Sequence, residues 1–127
     1  MIDWNKANIL AEQNGDGFFL FDEVRFRDNF RAFKAAFSNS YSKVKIGYSY
    51  KTNYTPYLCK IVHQLGGFAE VVSTMEYQLA HKLGVPDKKI IFNGPYKLKT
   101  DFTAAAFGGA TINLDSEIDI EMEENFA

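Results

Sequence analysis

Lys45-Ile46-Gly47-Tyr48-Ser49-Tyr50-Lys51-Thr52-Asn53 alternates like a strand, yet stops on a lysine followed by polar residues and Pro56. Ile46, Tyr48 and Tyr50 fall on one face of such a strand, and Gly47, Ser49 and Lys51 on the other. The bulky face suits the wall of a barrel, packed against outer helices. The small face leaves room at the carboxyl end for a molecule bound beside Lys51. In (β/α) barrels catalytic side chains gather at that end. Lys51 is therefore the leading candidate for chemistry.

Downstream of this strand a βα rhythm sets in. Residues 57–65 read as a helix closed by Gly66-Gly67, and Phe68-Ala69-Glu70-Val71-Val72-Ser73 as the next strand. Ser73 or Thr74 can cap a helix over 75–83, closed by Gly84 with Pro86 beyond. Lys89-Ile90-Ile91-Phe92 is a third strand, followed by the loop Asn93-Gly94-Pro95 and a helix over 97–107. After Gly108-Gly109, Ala110-Thr111-Ile112-Asn113-Leu114 is a fourth strand, and residues 115–124 are acidic. Each of these three helices ends at glycine, which reaches a left-handed C′ conformation without steric penalty. Strand centres recur every ~21–23 residues, a period typical of parallel strands joined by right-handed crossovers. No sequence motif repeats with it.

Upstream, residues 1–14 read as a short helix around Ile9 and Leu10, stopped by Gly15-Asp16-Gly17. Phe18-Phe19-Leu20-Phe21 reads as a brief, fully buried strand. Asp22 is placed to cap the following helix through amides of its first turn. The capping box is incomplete, because Arg25 stands where Glu or Gln would. Phe26, Phe30, Phe33 and Phe37 form one helical stripe, expected to be core packing. Ser38-Asn39-Ser40 is the exit loop.

With 127 residues and 14.4 kDa the chain has the size of one ordinary domain. Its 46% hydrophobic and 24% charged content is that of a globular chain, and twelve Phe with seven Tyr require large buried faces. A net charge of −2 and a pI near 5.6 give no reason to expect nucleic acid or an anionic membrane. The longest apolar runs fall short of the ~20 residues of a bilayer span. Met1-Ile2-Asp3-Trp4-Asn5 lacks the character of a signal peptide. Cys59 alone cannot form an internal disulfide, and a reducing cytoplasm is the default location. Four βα units make half of an eight-strand barrel, which typically needs ~250 residues. The expected organisation is a lead-in over 1–17 and half a barrel over 18–127, truncated from a longer protein.

Four stretches, in order, carry a resemblance: Phe19-Leu20-Phe21-Asp22; Tyr48-Ser49-Tyr50-Lys51-Thr52-Asn53-Tyr54; Ala69-Glu70-Val71-Val72-Ser73 with Glu76; and Ile112-Asn113-Leu114-Asp115-Ser116-Glu117. Together they resemble the amino-terminal half of a fold-type III pyridoxal-phosphate decarboxylase of the diaminopimelate and ornithine decarboxylase group. The second stretch is similar to that family's tyrosine–any–any–lysine–any–asparagine signature. The implied fold is α/β: part of an alanine racemase-like (β/α)8 TIM barrel, with about four parallel βα units.

The resemblance implies that Lys51 binds pyridoxal 5'-phosphate covalently, with Glu70 beside it in a supporting electrostatic role and Asn53 orienting the loop. A free lysine has a pKa of ~10.4, so only about one amine in 2,500 is neutral at pH 7. Desolvation in a barrel mouth can bring a lysine to ~7–8, at a cost of about 4 kcal/mol. The implied partners are an amino-acid substrate, a second subunit in a homodimer, the other barrel half and a C-terminal β-domain. The family's ring-stacking histidine, glycine-rich phosphate loop, glutamate–proline–glycine–arginine segment and partner-subunit cysteine have no match within these residues. This chain alone is accordingly expected to hold the cofactor weakly and not to turn over.

Alternatives stand beside this reading. Glu70 could serve a structural salt bridge. A racemase of the same barrel is a second reading, although Thr52-Asn53-Tyr54-Thr55-Pro56 departs from the Ala-Asn-Ala-Tyr-Gly-His-Gly-like run usual there. A non-catalytic fragment or interaction module is a third. His63 and His81 lie on expected helices without partners at metal-ligand spacing. Cys59 reads as a small buried hydrophobe. The acidic run after Asp115 reads as a helix with a solvated face. Glu70-Val71-Val72-Ser73 leans to the diaminopimelate side, and Asn93-Gly94-Pro95-Tyr96-Lys97 partly to the ornithine side.

Overall fold

A computed structural model describes residues 3–15 and 17–124. Four strands, β1 (Gly47–Ser49), β2 (Phe68–Val71), β3 (Ile90–Phe92) and β4 (Thr111–Ile112), form one parallel sheet in the order β1-β2-β3-β4. Their crossovers contain α3 (Pro56–Gln64), α4 (Thr74–Lys82) and α5 (Lys99–Gly108); α1 (Trp4–Asn14) and α2 (Glu23–Ser38) precede the sheet, and α6 (Glu117–Glu124) follows it. This is the parallel βα array that the sequence rhythm predicts.

Local chemistry explains the boundaries. The Asp22 carboxylate accepts from the Arg25 amide at 2.9 Å and starts α2. Pro56 opens α3 with its φ already suited to a helix. Ser73 Oγ accepts from the Glu76 amide, while Glu76, buried, takes the Val72 amide at 2.9 Å. Gly66 and Gly84 leave α3 and α4 at φ +81 each, a left-handed value that L side chains rarely adopt.

Register then sorts the side chains. Tyr48, Ala69 and Ile90 are aligned across β1–β3, and Val71 with Phe92 and Ile112 across β2–β4. All face the helices. Ala69, Val71, Ile90 and Phe92 are buried with Tyr50, Cys59, Tyr77 and Ala105 in the main core. Tyr77 stacks on Phe92 with ring centroids 5.2 Å apart. A second cluster joins Phe30, Leu58 and Val62 with Phe26, Ile46 and Tyr48. The opposite face of the sheet carries Gly47, Ser49, Glu70, Ile91 and Thr111, and no element of the described residues covers it. A Cβ on Gly47 would come within 3.1 Å of Ile91 Cδ1, so this face is narrow at β1.

Three expectations are corrected. The segment Phe18-Phe19-Leu20-Phe21 is neither strand nor buried, and Phe19 is fully exposed. Four apolar residues make a strand only with an edge to pair against, and these do not reach β1; Phe21 instead meets the rings of Phe26 (5.4 Å) and Tyr57 (6.1 Å). The stripe on α2 is core only at Phe26 and Phe30. Phe33 and Phe37 are 56% and 51% exposed and pack edge-to-face on each other, because the cluster that α2 joins stops at Phe30. The acidic helix is not wholly solvated on its polar face: Asp119 is completely buried by an ion pair with Lys97. Helix α5 starts at Lys99, two residues after the buried Lys97.

Candidate active site

Strand β1 ends at Ser49, two residues before the lysine. Tyr50–Thr52 form a 3-10 turn, held by Thr52 Oγ1 donating to the Ser49 carbonyl at 2.7 Å. Tyr50 points into the core with no exposure, while Lys51 is exposed on the other side. The anchor of this turn is the Tyr50 hydroxyl, 2.6 Å from His63 Nε2 on α3. His63 Nδ1 lies 3.3 Å from the Gly67 carbonyl, so Nδ1 carries the proton and Nε2 accepts from Tyr50. Burial lowers the His63 pKa and keeps the ring neutral, against the raising effect of the Gly67 carbonyl. Burial also raises the Tyr50 pKa and pushes the Cys59 thiol up to about 11. Cys59 is thus inert, as a small buried hydrophobe would be.

Lys51 lines an open cleft of about 620 Å³ at the carboxyl ends of the strands, with Val72, Asn93, Gly94, Asn113 and Asp115. Extending the register of β2–β4 places Val72, Asn93 and Asn113 in one row above Glu70, Ile91 and Thr111, and Lys51, in the turn after Ser49, lines the same cleft. Backbone bonds from Asn93 N to the Val71 carbonyl (2.8 Å) and from Asn113 N to the Phe92 carbonyl (3.0 Å) continue the ladder into this row.

Polar contacts cross the two rows. Asn113 Nδ2 donates to Asn93 Oδ1, and Asn93 Nδ2 donates to Glu70 Oε1 at 2.6 Å. Glu70 stands in the lower row beside Ser49, whose buried Oγ has no hydrogen-bond partner. A polar diagonal therefore descends from the end of β4 to Glu70 on β2, between apolar Val72 and Ile91, and stops one strand short of the turn that bears Lys51. Among the described residues neither Glu70 nor Lys51 makes an ion pair.

The rim is fixed from behind. Lys97 Nζ, without solvent exposure, donates to the Gly94 carbonyl and to Asp119 Oδ2, both at 2.7 Å, and reaches Asp115 Oδ2 at 3.4 Å. Burial works against ionisation of Asp119, but Lys97 and the Asp115 amide outweigh it and hold its carboxyl below the usual range. Gly94 turns at φ +103 with its α-carbon against Val72: an added Cβ would lie 2.7 Å from the Val72 carbonyl oxygen.

Of the three residues singled out from the sequence, Lys51 lines the cleft, and Glu70 lies below the row of Asn93, whose Nδ2 donates to it. Asn53 does not face it. Its Oδ1 accepts from the Thr55 amide at 3.0 Å, its carbonyl accepts from Tyr48 Oη at 3.1 Å, and it lines a separate apolar groove with Phe19, Phe21, Tyr57 and Leu58. His81 pairs with Asp87 at 3.1 Å, which also accepts from Tyr77 at 2.7 Å, at the opposite end of the sheet. Asn93 and Asn113 were readable only as loop and strand residues. Carrying the alternation of β3 and β4 one residue past each strand's end would have set both at the rim that Lys51 lines. Among the described residues no helix is long and apolar enough to cross a membrane.

The profile of the pyridoxal-dependent decarboxylases, pyridoxal binding domain, matches residues 24–126. Diaminopimelate decarboxylase of Aquifex aeolicus is 31% identical over 109 residues, covering 86% of this chain and 23% of that protein. A probable chloroplastic diaminopimelate decarboxylase of Oryza sativa subsp. japonica is 35% identical over 104 residues, covering 82% and 21%. The chain thus spans about a quarter of the length of the curated relatives it matches. Diaminopimelate decarboxylase of M. jannaschii, solved in complex with L-lysine, superposes with a TM-score of 0.80 at 29% identity, over 95% of this chain and 29% of that one. Lysine decarboxylase of Selenomonas ruminantium shares the fold, with a TM-score of 0.82 at 20% identity, over 100% of this chain and 32% of that one.

Proposed function

Because this chain belongs to the pyridoxal-dependent decarboxylases, as their pyridoxal-binding domain, we propose that it is the lysine-bearing part of an amino-acid decarboxylase of the diaminopimelate type. The observation that carries this reading is Lys51, exposed and without an ion pair among the described residues, at the carboxyl edge of a parallel sheet. The curated relatives supply the substrate class.

The cleft fits the cofactor. Pyridoxal phosphate needs a reachable amine, room for a flat ring and polar groups at its edge. Lys51 supplies the first, the open cleft of about 620 Å³ the second, and the polar rim of the cleft, Asp115 included, the third. Bound there, pyridoxal phosphate supplies an electron sink for the pair left when the substrate's α-carboxylate departs as carbon dioxide.

Lys51 Nζ is the attachment point and, once freed from it, a group able to hold or pass a proton. The Tyr50–His63 bond keeps the turn beneath it from rotating, so the amine samples the cleft and not the core. Glu70 contributes fixed negative charge one row below, in its supporting role. Asn53 shapes the loop after the lysine through its bond to Thr55, and its contribution to cofactor binding is indirect. Among the described residues Lys51 is the only cation lining the cleft, so the phosphate would take its partners from other parts of the barrel.

Product analysis of the full natural protein with meso-diaminopimelate tests the reading: carbon dioxide and L-lysine support it, and inversion of a stereocentre without loss of carbon indicates the racemase reading. A residue 1–127 chain by itself is expected to bind pyridoxal phosphate weakly and to release no carbon dioxide. Tight binding with turnover by that piece would contradict this division of labour.

A further inference from the structure

Resting on that reading of Lys51, we propose that Asn93 and Asn113 are positioning residues that fix the orientation of the Glu70 carboxylate on the strand next to the lysine's. An asparagine amide has two ends of opposite polarity and can rotate between them. Presented to a carboxylate, its NH₂ attracts and its carbonyl repels. Nothing in Asn93 itself selects the end. The carboxylate takes the NH₂ end, with Asn93 Nδ2 2.6 Å from Glu70 Oε1, and Asn113, donating to the Oδ1 left facing β4, locks Asn93 in that orientation.

Glu70 has no cation of the described residues within ion-pair distance, so this amide is what holds it. Its neighbours in the same row are Ser49 and Ile91, and the upper row places Val72 directly over it. A carboxylate in that slot has two destinations. Towards β3 it meets Asn93; towards β1 it meets the buried, unpartnered Ser49 Oγ under the turn that bears Lys51. The two asparagines decide between them. Asn93 lines the cleft floor and Glu70 does not, so Asn93 also stands between the carboxylate and whatever occupies the cleft. The positions act as one unit across three strands, which is why none of them stands out in any single strand.

The experiment is a double-mutant cycle on the full natural chain, stripped of cofactor and then reloaded. Asn93→Ala and Asn113→Ser are each made alone and in a Glu70→Gln background. The readouts are the rate of pyridoxal phosphate attachment to Lys51, trapped by borohydride, and the side-chain amide NMR signals of Asn93 in the cofactor-free protein. Residues acting through Glu70 slow attachment about tenfold in the native background and by less than about twofold once Glu70 is removed. The Asn93 NH₂ protons are slow to exchange in the native protein and fast in both Asn113→Ser and Glu70→Gln. Effects that simply multiply in the Glu70→Gln background, or Asn93 protons indifferent to Asn113, overturn the proposal. If the native protein attaches no cofactor at Lys51, the reading of the lysine fails, while the amide signals still decide the diagonal.

Discussion

The Tyr50 hydroxyl donates to His63 Nε2 at 2.6 Å, and the residue after Tyr50 is the lysine at the mouth of the sheet. One strand turn therefore has its bulky residue tied to α3 and its amine free in the cleft. Replacing Tyr50 by Phe removes the donor and leaves a buried imidazole nitrogen unsatisfied, at a cost of about 1–3 kcal/mol. Chemical denaturation of the variant at neutral pH measures it.

The same pair sets a pH dependence. The His63 pKa is lowered in the folded chain by burial, from an ordinary value of 6.5. The unfolded chain thus binds more protons below that value, and folding is penalised there. The stability from neutral His63 is complete above pH 6.5 and falls as the pH drops towards the lower folded value. Denaturation midpoints taken between pH 8 and 5, compared with a His63→Gln variant, are expected to diverge in that window; parallel curves would show that the ring titrates alike in both states.

Lys97→Met leaves Asp119 buried without its cation, and is expected to destabilise by about 3–5 kcal/mol. Adding Asp119→Leu is expected to recover most of that loss, since the uncompensated charge is then gone. Because the folded Asp119 carboxyl is held below its ordinary 3.8, its contribution is present above that pH and lost as the pH falls through the lower folded value. Acid titration of the double variant against the native chain checks the sign.

The phenylalanines of α2 separate by position. Phe30→Ala is expected to cost about 3–5 kcal/mol, whereas Phe33→Ala, at a site 56% exposed, is expected to cost no more than about 0.5 kcal/mol. Equal losses at both sites would mean that α2 is covered along its whole length.

Most of the architecture was legible because it rests on period and punctuation. Gly66, Gly84 and Gly109 end three helices at the positions the sequence marks, and the intervening apolar runs fall into one parallel sheet. Lys51 was legible because alternation put it on the small face of its strand. What escaped depended on tertiary neighbours. Nothing local distinguishes Phe18-Phe19-Leu20-Phe21, outside any sheet, from a buried strand, and nothing along α2 says that its cluster stops at Phe30. Asp119 reads as one more acid in an acidic helix until Lys97, 22 residues earlier, is placed against it. Asn93 and Asn113 lie on different strands, 20 residues apart, and acquire meaning only through register.

Lys51 as the attachment point is tested most directly by peptide mapping. The full natural protein is incubated with pyridoxal phosphate, reduced with borohydride, digested and read by mass spectrometry. The pyridoxyl mass is expected on the peptide containing Lys51, stoichiometrically, and to vanish in Lys51→Ala. Modification of another lysine with Lys51 left bare, or undiminished labelling of Lys51→Ala, would contradict it.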